Sequence, residues 1–126
     1  MGVTAIGVDI IETERIKKAI ERWGEHFLFR IFTPAEVAYC QAKEQAHFSF
    51  AARFAVKEAV IKAIGTGLTS NVRWTSIEIV NDRKGKAEVR LGERVKEVIG
   101  DKRILISMSH THQYAIGEAI LIDRQD

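Results

Sequence analysis

Two carboxylates and a lysine in this sequence have the types and spacing that suit phosphate chemistry. Glu58 and Lys62 are four residues apart and therefore share one face of any helix that contains them. Asp9 lies near the end of the apolar run 3–11, where solubility does not explain an acid. Two carboxylates from different elements, combined with substrate phosphates, form a typical environment for Mg²⁺. We therefore expect Asp9 and Glu58 to hold Mg²⁺ beside a phosphorylated substrate.

A glycine-flanked turn and two cations lie close to these acids in the sequence. The backbone N–H groups of Gly65-Thr66-Gly67 would cradle an anion, with Lys62 and Arg53 as counter-charges. A glycine after a helix also serves as an ordinary C-cap. Glu58 and Lys62 would alternatively form a solvent-exposed ion pair that contributes little stability. The residues alone leave these alternatives open.

The segment Ser109-His110-Thr111 carries a histidine that suits either of two roles. His110 would donate a hydrogen bond to an anionic ligand or serve as a hydrogen-bonded structural histidine. A Ser–His hydrolase is not favoured, because sequence neighbours do not face each other as nucleophile and base, and no nucleophile elbow surrounds Ser109. The only cysteine, Cys40, excludes an intramolecular disulfide and is expected to be a small buried residue without a role.

The segment that carries Glu58 has the pattern of a helix covered on all sides. Between residues 53 and 64 the apolar residues fall in every quadrant of the helix. The same segment retains four charges: Arg53, Lys57, Glu58 and Lys62. Ionised groups are rarely buried unless they are paired or bound to something. We therefore expect this helix to lie in an interface or cleft, with its charges facing a ligand.

The periodicity of the sequence predicts an α+β domain with helices first and an antiparallel sheet after them. The predicted helices are a basic helix around Ile16 to Trp23, a helix starting at Thr33-Pro34-Ala35-Glu36, a helix at about 48–64 and a short helix at 92–100. The predicted strands are 3–11, a hairpin around 77–79 and 87–91, and two strands at 103–108 and 114–122. A length of 126 residues without a linker predicts one domain, 1–126.

Composition and charge limit the classes of protein that this sequence can represent. The net charge of +2 is mildly basic, and the aromatic residues are not interleaved with the basic ones as nucleic-acid stacking requires. No apolar run approaches the roughly 18 residues that span a bilayer, and the N-terminus lacks a signal-peptide pattern. We therefore expect a cytoplasmic protein that binds neither nucleic acid nor membrane.

Taken together, the motifs resemble those of the small holo-acyl-carrier-protein synthases, a type of 4'-phosphopantetheinyl transferase. The resemblance covers almost the whole chain. It rests on Gly7-Val8-Asp9 with Arg15-Ile16, Phe32-Thr33-Pro34-Ala35-Glu36, the run from Arg53 to Lys62 with Gly65-Thr66-Gly67, and Ser109-His110-Thr111. Phe54 replaces a frequent tryptophan of the wider superfamily and Val56 replaces an alanine, and neither change touches the charged positions.

The resemblance implies transfer of the phosphopantetheine arm of coenzyme A to a serine of apo-acyl-carrier protein, in support of fatty acid biosynthesis. Asp9 and Glu58 would hold Mg²⁺ on the pyrophosphate, and Lys62 would neutralise the transferred phosphate or protonate the leaving side. Glu58 is the expected general base, with Asp9 as the alternative. By the same resemblance, Arg53, His110 and Thr111 would contact the 3'-phosphate and adenine, and Gly65, Thr66 and Gly67 would line the coenzyme.

The resemblance also implies a homotrimer with active sites between neighbouring subunits. A neighbouring chain would then cover the helix at 48–64, with the strand 114–122, apolar on both faces, as a second candidate for the interface. The basic residues Arg15, Lys18 and Arg22 of the first helix would bind the acidic carrier protein, unless they form an ordinary solvated face. The alternative function is a non-catalytic module that binds an acidic protein, which would need this basic helix but not Asp9, Glu58 or Lys62.

Overall fold

The computed structural model describes residues 2–124. The helices are α1 (Thr13–Trp23), α2 (Glu25–Ile31), α3 (Pro34–Gln41), α4 (Ala46–Ile64) and α5 (Glu93–Ile99). The strands are β1 (Val3–Glu12), β2 (Ile77–Asn81), β3 (Ala87–Leu91), β4 (Arg103–His110) and β5 (Tyr114–Ile122). One antiparallel sheet has the order β1-β5-β4, and β2 and β3 form a separate hairpin. The predicted α+β fold, with helices packed on an antiparallel sheet, is confirmed.

Helix α4 lies directly on the backbone of the three-stranded sheet. Gly7 of β1 faces Ala59, and Gly117 of β5 faces the backbone at Ala55 and Val56. A β-carbon at either glycine would overlap main-chain atoms of α4. Neither glycine has a positive φ, so the close approach of helix and sheet is what requires glycine at both positions. This contact fixes the separation between β1 and α4.

The chain covers most of helix α4 by itself. Val56 and Val60 are fully buried and Ile61 is nearly so, in a core shared with the sheet and with α5. On another side, Phe54 stacks on Trp74 with ring centroids 5.2 Å apart. The expectation that a neighbouring chain must cover these side chains is therefore wrong. The N-terminal helices and the segment around Trp74 pack there instead.

Two local features explain how the N-terminal helices come to lie against α4. The predicted capping box is present, because Thr33 N donates to Glu36 Oε1 at 2.9 Å and Glu36 N donates to Thr33 Oγ1 at 3.3 Å. Helix α2 was not predicted. It follows α1 after the single residue Gly24, which has a φ of 56°. This turn brings Leu28 into the core beside α4.

The sheet has one face that the chain leaves open, which we call the outer face. It carries exposed apolar side chains from all three strands: Ile6, Val8 and Ile10 of β1, Tyr114 and Ile116 of β5, and Leu105 of β4. The register sets Ile10 opposite Ile116, and Ile6 opposite Ile120, which is itself opposite Leu105. Between these two rows, the register sets Val8 opposite Glu118, and Glu118 opposite Ser107. The outer face is therefore largely apolar, with one acidic residue near its centre.

Among residues 2–124, none of the helices is both long enough and apolar enough to cross a membrane. The Cys40 thiol is buried, and burial raises its pKa. The expectation that it is a buried structural residue agrees with this position.

Candidate active site

The structure brings Asp9, Glu58 and Lys62 together where β1 crosses α4. Asp9 lies two residues after Gly7 and therefore shares the sheet face that contacts the helix. Lys62 Nζ lies 3.2 Å from Asp9 Oδ1 and donates to the carbonyl oxygen of Val8 at 3.0 Å. Of the two alternatives, the exposed ion pair between Glu58 and Lys62 is not the one observed, because Lys62 reaches across to the strand and pairs with Asp9. The tertiary contact replaces the local one.

The two carboxylates of this cluster influence each other. The pKa of Glu58 is raised, first by partial burial and second by the nearby charge of Asp9, while Lys62 opposes the shift. One lysine therefore compensates two acids only in part. A site with this excess of negative charge and with carboxylate oxygens as donors suits a hard divalent cation.

The turn after α4 extends this cluster. Gly65 ends the helix with a φ of 89°, and its N–H donates to Ile61 O at 3.0 Å, so its role as a C-cap is clear. Thr66 is exposed, and Gly67 also has a positive φ, of 70°. The turn lies at the negative end of the helix dipole, so an anion bound there would depend on Lys62 and not on the dipole.

On the opposite side of α4, Arg53 is buried and only partly satisfied. Its guanidinium donates to Ser49 Oγ at 3.1 Å and to Asn81 Oδ1, and its exposed fraction is 3%. The Nε atom has no hydrogen-bond partner within residues 2–124. A buried cation with an unused donor and no carboxylate partner is suited to an anionic ligand.

Arg53 lines a cavity of about 370 Å³ together with Lys43 and His110. No acidic residue lines this cavity in the described part of the chain. The ring of His110 stacks on Phe48 with a centroid distance of 5.2 Å, and its Nδ1 lies 3.2 Å from Thr111 O. Thr111 stands in the adjacent turn, where its hydroxyl accepts from Tyr114 N at 3.1 Å. This second cluster is therefore cationic, unlike the first.

Lys57, the remaining charge of α4, belongs to the core and to neither cluster. Its Nζ lies 2.7 Å from Glu36 and donates to the carbonyl oxygens of Ile31, Trp74 and Ile77 at 2.7–3.0 Å. Burial lowers the pKa of Lys57, and Glu36 opposes that shift. The expectation that every charge of α4 faces a ligand is wrong for this residue, because it is fully paired inside the chain.

The two clusters face away from each other. At about 100° per residue, Glu58 and Lys62 are about 140° and about 180° around the helix from Arg53. The cavity lined by Arg53 includes none of Asp9, Glu58 and Lys62. One chain therefore carries an acidic half-site and a basic half-site but does not join them into one cleft.

The comparison with known protein families agrees with these motifs. The family model described as the 4'-phosphopantetheinyl transferase superfamily matches residues 5–117. The chain belongs to the 4'-phosphopantetheinyl transferase superfamily.

Relatives within this superfamily extend over nearly the whole chain. The holo-[acyl-carrier-protein] synthase of Koribacter versatilis is 44% identical over 96% of this chain and 99% of its own length. That of Chlamydia caviae is 46% identical, covering 97% and 99%. Among solved structures, holo-[acyl-carrier-protein] synthase from Neisseria meningitidis matches with a TM-score of 0.89 at 31% identity, covering 97% of this chain and all of the other. The Helicobacter pylori synthase in complex with coenzyme A matches with a TM-score of 0.85 at 29% identity, covering 93% and 99%. The predicted family and its transferase fold are confirmed.

The basic residues expected to contact a carrier protein lie on the open side of α1 of this transferase. Arg15, Lys18 and Arg22 are exposed, whereas Ile16 is buried against the core. The guanidinium of Arg22 lies 4.9 Å from the ring centroid of exposed Trp23. The surface is accessible, and its partner stays a prediction.

Sequence reasoning missed five polar residues of the basic half-site: Tyr39, Lys43, Gln45, Ser49 and Asn81. Tyr39 and Lys43 are four residues apart, a spacing that was available in the sequence. Asn81 comes from the hairpin and meets Arg53 only through the tertiary fold. No local pattern identifies such a contact.

Proposed function

We propose that this transferase is a holo-[acyl-carrier-protein] synthase. It moves the 4'-phosphopantetheine group of coenzyme A to a serine hydroxyl of apo-acyl-carrier protein, releasing adenosine 3',5'-bisphosphate, in support of fatty acid biosynthesis. The similarity to holo-[acyl-carrier-protein] synthases over nearly the whole chain supports the reaction. The observation that carries the assignment is the meeting of Asp9, Glu58 and Lys62 beside the crossing of β1 and α4. The cytoplasm is the proposed compartment.

Asp9 and Glu58 are the residues that would hold Mg²⁺. Their mutual repulsion and their oxygen donors fit that ion, which takes few protein carboxylates and fills its remaining positions with phosphate oxygens and water. When bound, Mg²⁺ would neutralise charge on the pyrophosphate of coenzyme A. Asp9 already orients Lys62 through their 3.2 Å ion pair.

Lys62 and Glu58 would act on the reacting groups. The ammonium of Lys62 would neutralise the phosphate that is transferred, or protonate the leaving side. Glu58 is the candidate base for the serine proton, because its carboxylate lies in the same cluster as Lys62, which would face the reacting phosphate. Asp9 is the alternative base, but its oxygen is already paired with Lys62.

The basic half-site would bind the other end of coenzyme A. Arg53, with its unused Nε, supports a contact with the 3'-phosphate, and His110 lies in the same cavity. Thr111 would contribute through its exposed turn, next to the adenine portion. The turn Gly65-Thr66-Gly67 would line the coenzyme on the acidic side, next to Lys62.

Because the half-sites face opposite ways, we propose that each active site combines the acidic half of one subunit with the basic half of its neighbour in a homotrimer. The outer face of the sheet supports this assembly, since Ile6, Val8, Ile10 and Ile116 form an apolar surface that needs a cover. We therefore propose the outer face, which includes the second candidate strand 114–122, as the subunit interface in place of the sides of α4. Light scattering should give about three times the 14.2 kDa chain mass, and a monomer with full activity would contradict the assembly.

Subunit complementation tests the shared site directly. Glu58→Gln disables the acidic half, and Arg53→Ala or His110→Ala disables the basic half. Co-expression of one variant of each kind should restore about a quarter of wild-type activity, since half of the chains supply each intact half. The matched control is co-expression of Glu58→Gln with Lys62→Ala, which damage the same half and should restore nothing. Equal results for the two mixtures would contradict the composite site.

The carrier protein is proposed to dock on α1. Arg15→Glu and Arg22→Glu should raise the KM for the carrier and leave the KM for coenzyme A nearly unchanged, with Lys18→Glu acting in the same direction. The effect should weaken with salt, because the screening length falls from about 10 Å at 0.1 M to about 3 Å at 1 M. Equal changes in both KM values would place these residues in the fold or the coenzyme site.

One assay separates the transferase from a non-catalytic module that binds an acidic protein. The chain is incubated with coenzyme A, Mg²⁺ and an apo-carrier protein, and the carrier is then weighed by mass spectrometry. We expect the carrier to gain the mass of the phosphopantetheine arm. A carrier that binds α1 but keeps its mass would favour the non-catalytic module.

A further inference from the structure

Tyr39 brings two cations to one side of the basic half-site. The ring centroid of Tyr39 lies 4.3 Å from the guanidinium carbon of Arg53 and 4.6 Å from the ammonium of Lys43. All three side chains line the same cavity. Within residues 2–124, neither cation forms an ion pair with a carboxylate. Two like charges therefore contact the same aromatic ring, and neither is paired with a carboxylate among the described residues.

An aromatic ring can hold cations without neutralising them. The face of a tyrosine ring attracts a cation through its quadrupole, whereas a carboxylate would cancel the charge and compete with an anionic ligand. Lys57, close to Arg53, is held by a carboxylate instead, because Glu36 pairs with it at 2.7 Å. The cations at Tyr39 keep their charge available to the cavity.

We propose that Tyr39 is a positioning residue that holds Arg53 and Lys43 for the 3'-phosphate of coenzyme A and thereby sets the preference for coenzyme A over 3'-dephospho-coenzyme A. This inference rests on the proposed function, and it adds Tyr39 and Lys43 to the site. Lys43 contacts the phosphate as a point charge on a flexible stem, so it depends on the ring for its direction. Arg53 depends on the ring less, since Ser49 and Asn81 also hold it.

The test compares two donors that differ only in the 3'-phosphate. The ratio of kcat/KM for coenzyme A to that for 3'-dephospho-coenzyme A is measured for the wild type, Tyr39→Leu, Tyr39→Phe and Lys43→Gln. Tyr39→Leu should lower the ratio roughly fivefold to tenfold, the equivalent of one cation–π contact. Tyr39→Phe keeps the ring and should keep the ratio within about twofold. Lys43→Gln should lower the ratio in the same direction as Tyr39→Leu.

A purely structural role for Tyr39 would change turnover of both donors equally and leave the ratio unaltered, which would overturn the inference. A ratio in Tyr39→Phe as low as in Tyr39→Leu would also overturn the inference, because the hydroxyl and not the ring would then set the preference for coenzyme A. If Tyr39→Leu does not fold, Tyr39→Met carries the same comparison with more of the bulk retained. If the wild type used both donors equally well, the inference about Tyr39 would be refuted, but the proposed transferase function would not. A wild type that uses neither would refute the proposed function itself.

Discussion

The two lysines on helix α4, five residues apart, have opposite surroundings. Lys57 is fully buried, with a carboxylate and three backbone carbonyls around its ammonium. The side chain of Lys62 is 53% exposed and has one carbonyl and a longer ion pair with Asp9. The sequence around each lysine is similar, yet the first is a structural residue and the second is available for chemistry. The two lysines lie on different sides of α4, and the partners that each side supplies, rather than residue type, separate the two roles.

Arg53 is the intermediate case between these lysines. It is as inaccessible as Lys57, but its Nε is unpaired among the described residues and its partners are neutral. A buried cation with incomplete partners is costly unless a ligand completes them. The chain therefore supplies the most complete set of polar partners to Lys57, an incomplete set to buried Arg53, and the fewest to exposed Lys62.

The largest loss of stability should come from replacing Lys57. Lys57→Met leaves the Glu36 carboxylate buried without its cation, so the free energy of unfolding should fall by about 3–5 kcal/mol. Denaturant titration measures the change, and Lys62→Met is the matched control, expected to shift stability by less than about 1 kcal/mol because its pair is exposed. Pairing Lys57→Met with Glu36→Leu should recover part of the loss. Equal losses in the two single variants would remove the distinction between the lysines.

In the acidic half-site, substitutions should lower transfer activity and leave stability nearly unchanged, the reverse of Lys57→Met. Asp9→Ala and Glu58→Ala should abolish transfer, and Lys62→Ala should lower kcat on the order of a hundredfold, as for loss of an electrostatic donor worth about 2.7–4 kcal/mol. Circular dichroism and thermal unfolding should show that all three variants remain folded. Normal turnover in Asp9→Ala or Glu58→Ala at ordinary Mg²⁺ would refute the metal ligands. If Lys62→Ala changed only the affinity for coenzyme A, Lys62 would be a binding residue.

The pH dependence of stability should identify Glu58. Because its pKa is raised in the folded state, the protonated form favours folding, and that contribution is lost as the pH rises through the folded pKa. Without metal, the stability of the wild type relative to Glu58→Gln should therefore decline over that interval. Transfer activity, measured with Mg²⁺, should rise at lower pH than this interval, because a cation bound to Glu58 favours its carboxylate form. Lys62→Met should move both transitions to higher pH, since Lys62 holds the pKa of Glu58 down.

The smallest effect should come from one partner of Arg53. Ser49→Ala removes the 3.1 Å hydrogen bond that the Arg53 guanidinium donates to Ser49 Oγ, and it leaves Asn81 and Tyr39 in place. The KM for coenzyme A should rise by about twofold to fivefold, with stability lowered by about 1.5 kcal/mol, as for a hydrogen bond to a charged group. Steady-state kinetics at saturating carrier protein measures the change. A loss of stability comparable with that of Lys57→Met would make Arg53 a structural cation as well.

Local patterns predicted most of the elements. The capping box of α3, the glycine that ends α4, the hairpin and the strand β5 are each encoded within a few neighbouring residues. Helix α2 escaped prediction because a single glycine separates it from α1 and no side chain caps its start. Apolar periodicity cannot mark a boundary that only the backbone conformation of Gly24 creates.

Charged residues were harder to assign because their partners lie far away in sequence. Asp9, Glu58 and Lys62 were grouped correctly, but the pairing of Lys62 with Asp9 joins residues separated by 53 positions. The pairing of Lys57 with Glu36 likewise depends on how α3 packs against α4. The helix at 48–64 was the first candidate for the exposed apolar surface, and the strand 114–122, which contributes Tyr114 and Ile116 to it, was only the second. A helix with apolar residues on all sides does not reveal which neighbours cover it.

The contact of Gly7 and Gly117 with α4 limits how this sequence can drift during evolution. Elsewhere in the core, the loss of one methyl group can be offset by a gain in a neighbouring side chain. At Gly7 and Gly117 no neighbouring side chain can shrink to make room, because the contacting atoms belong to the main chain of α4. Even the β-carbon of alanine would overlap these atoms. Glycine at these two positions therefore maintains the separation between Asp9 and Glu58. The side chains packed elsewhere in the core remain free to change.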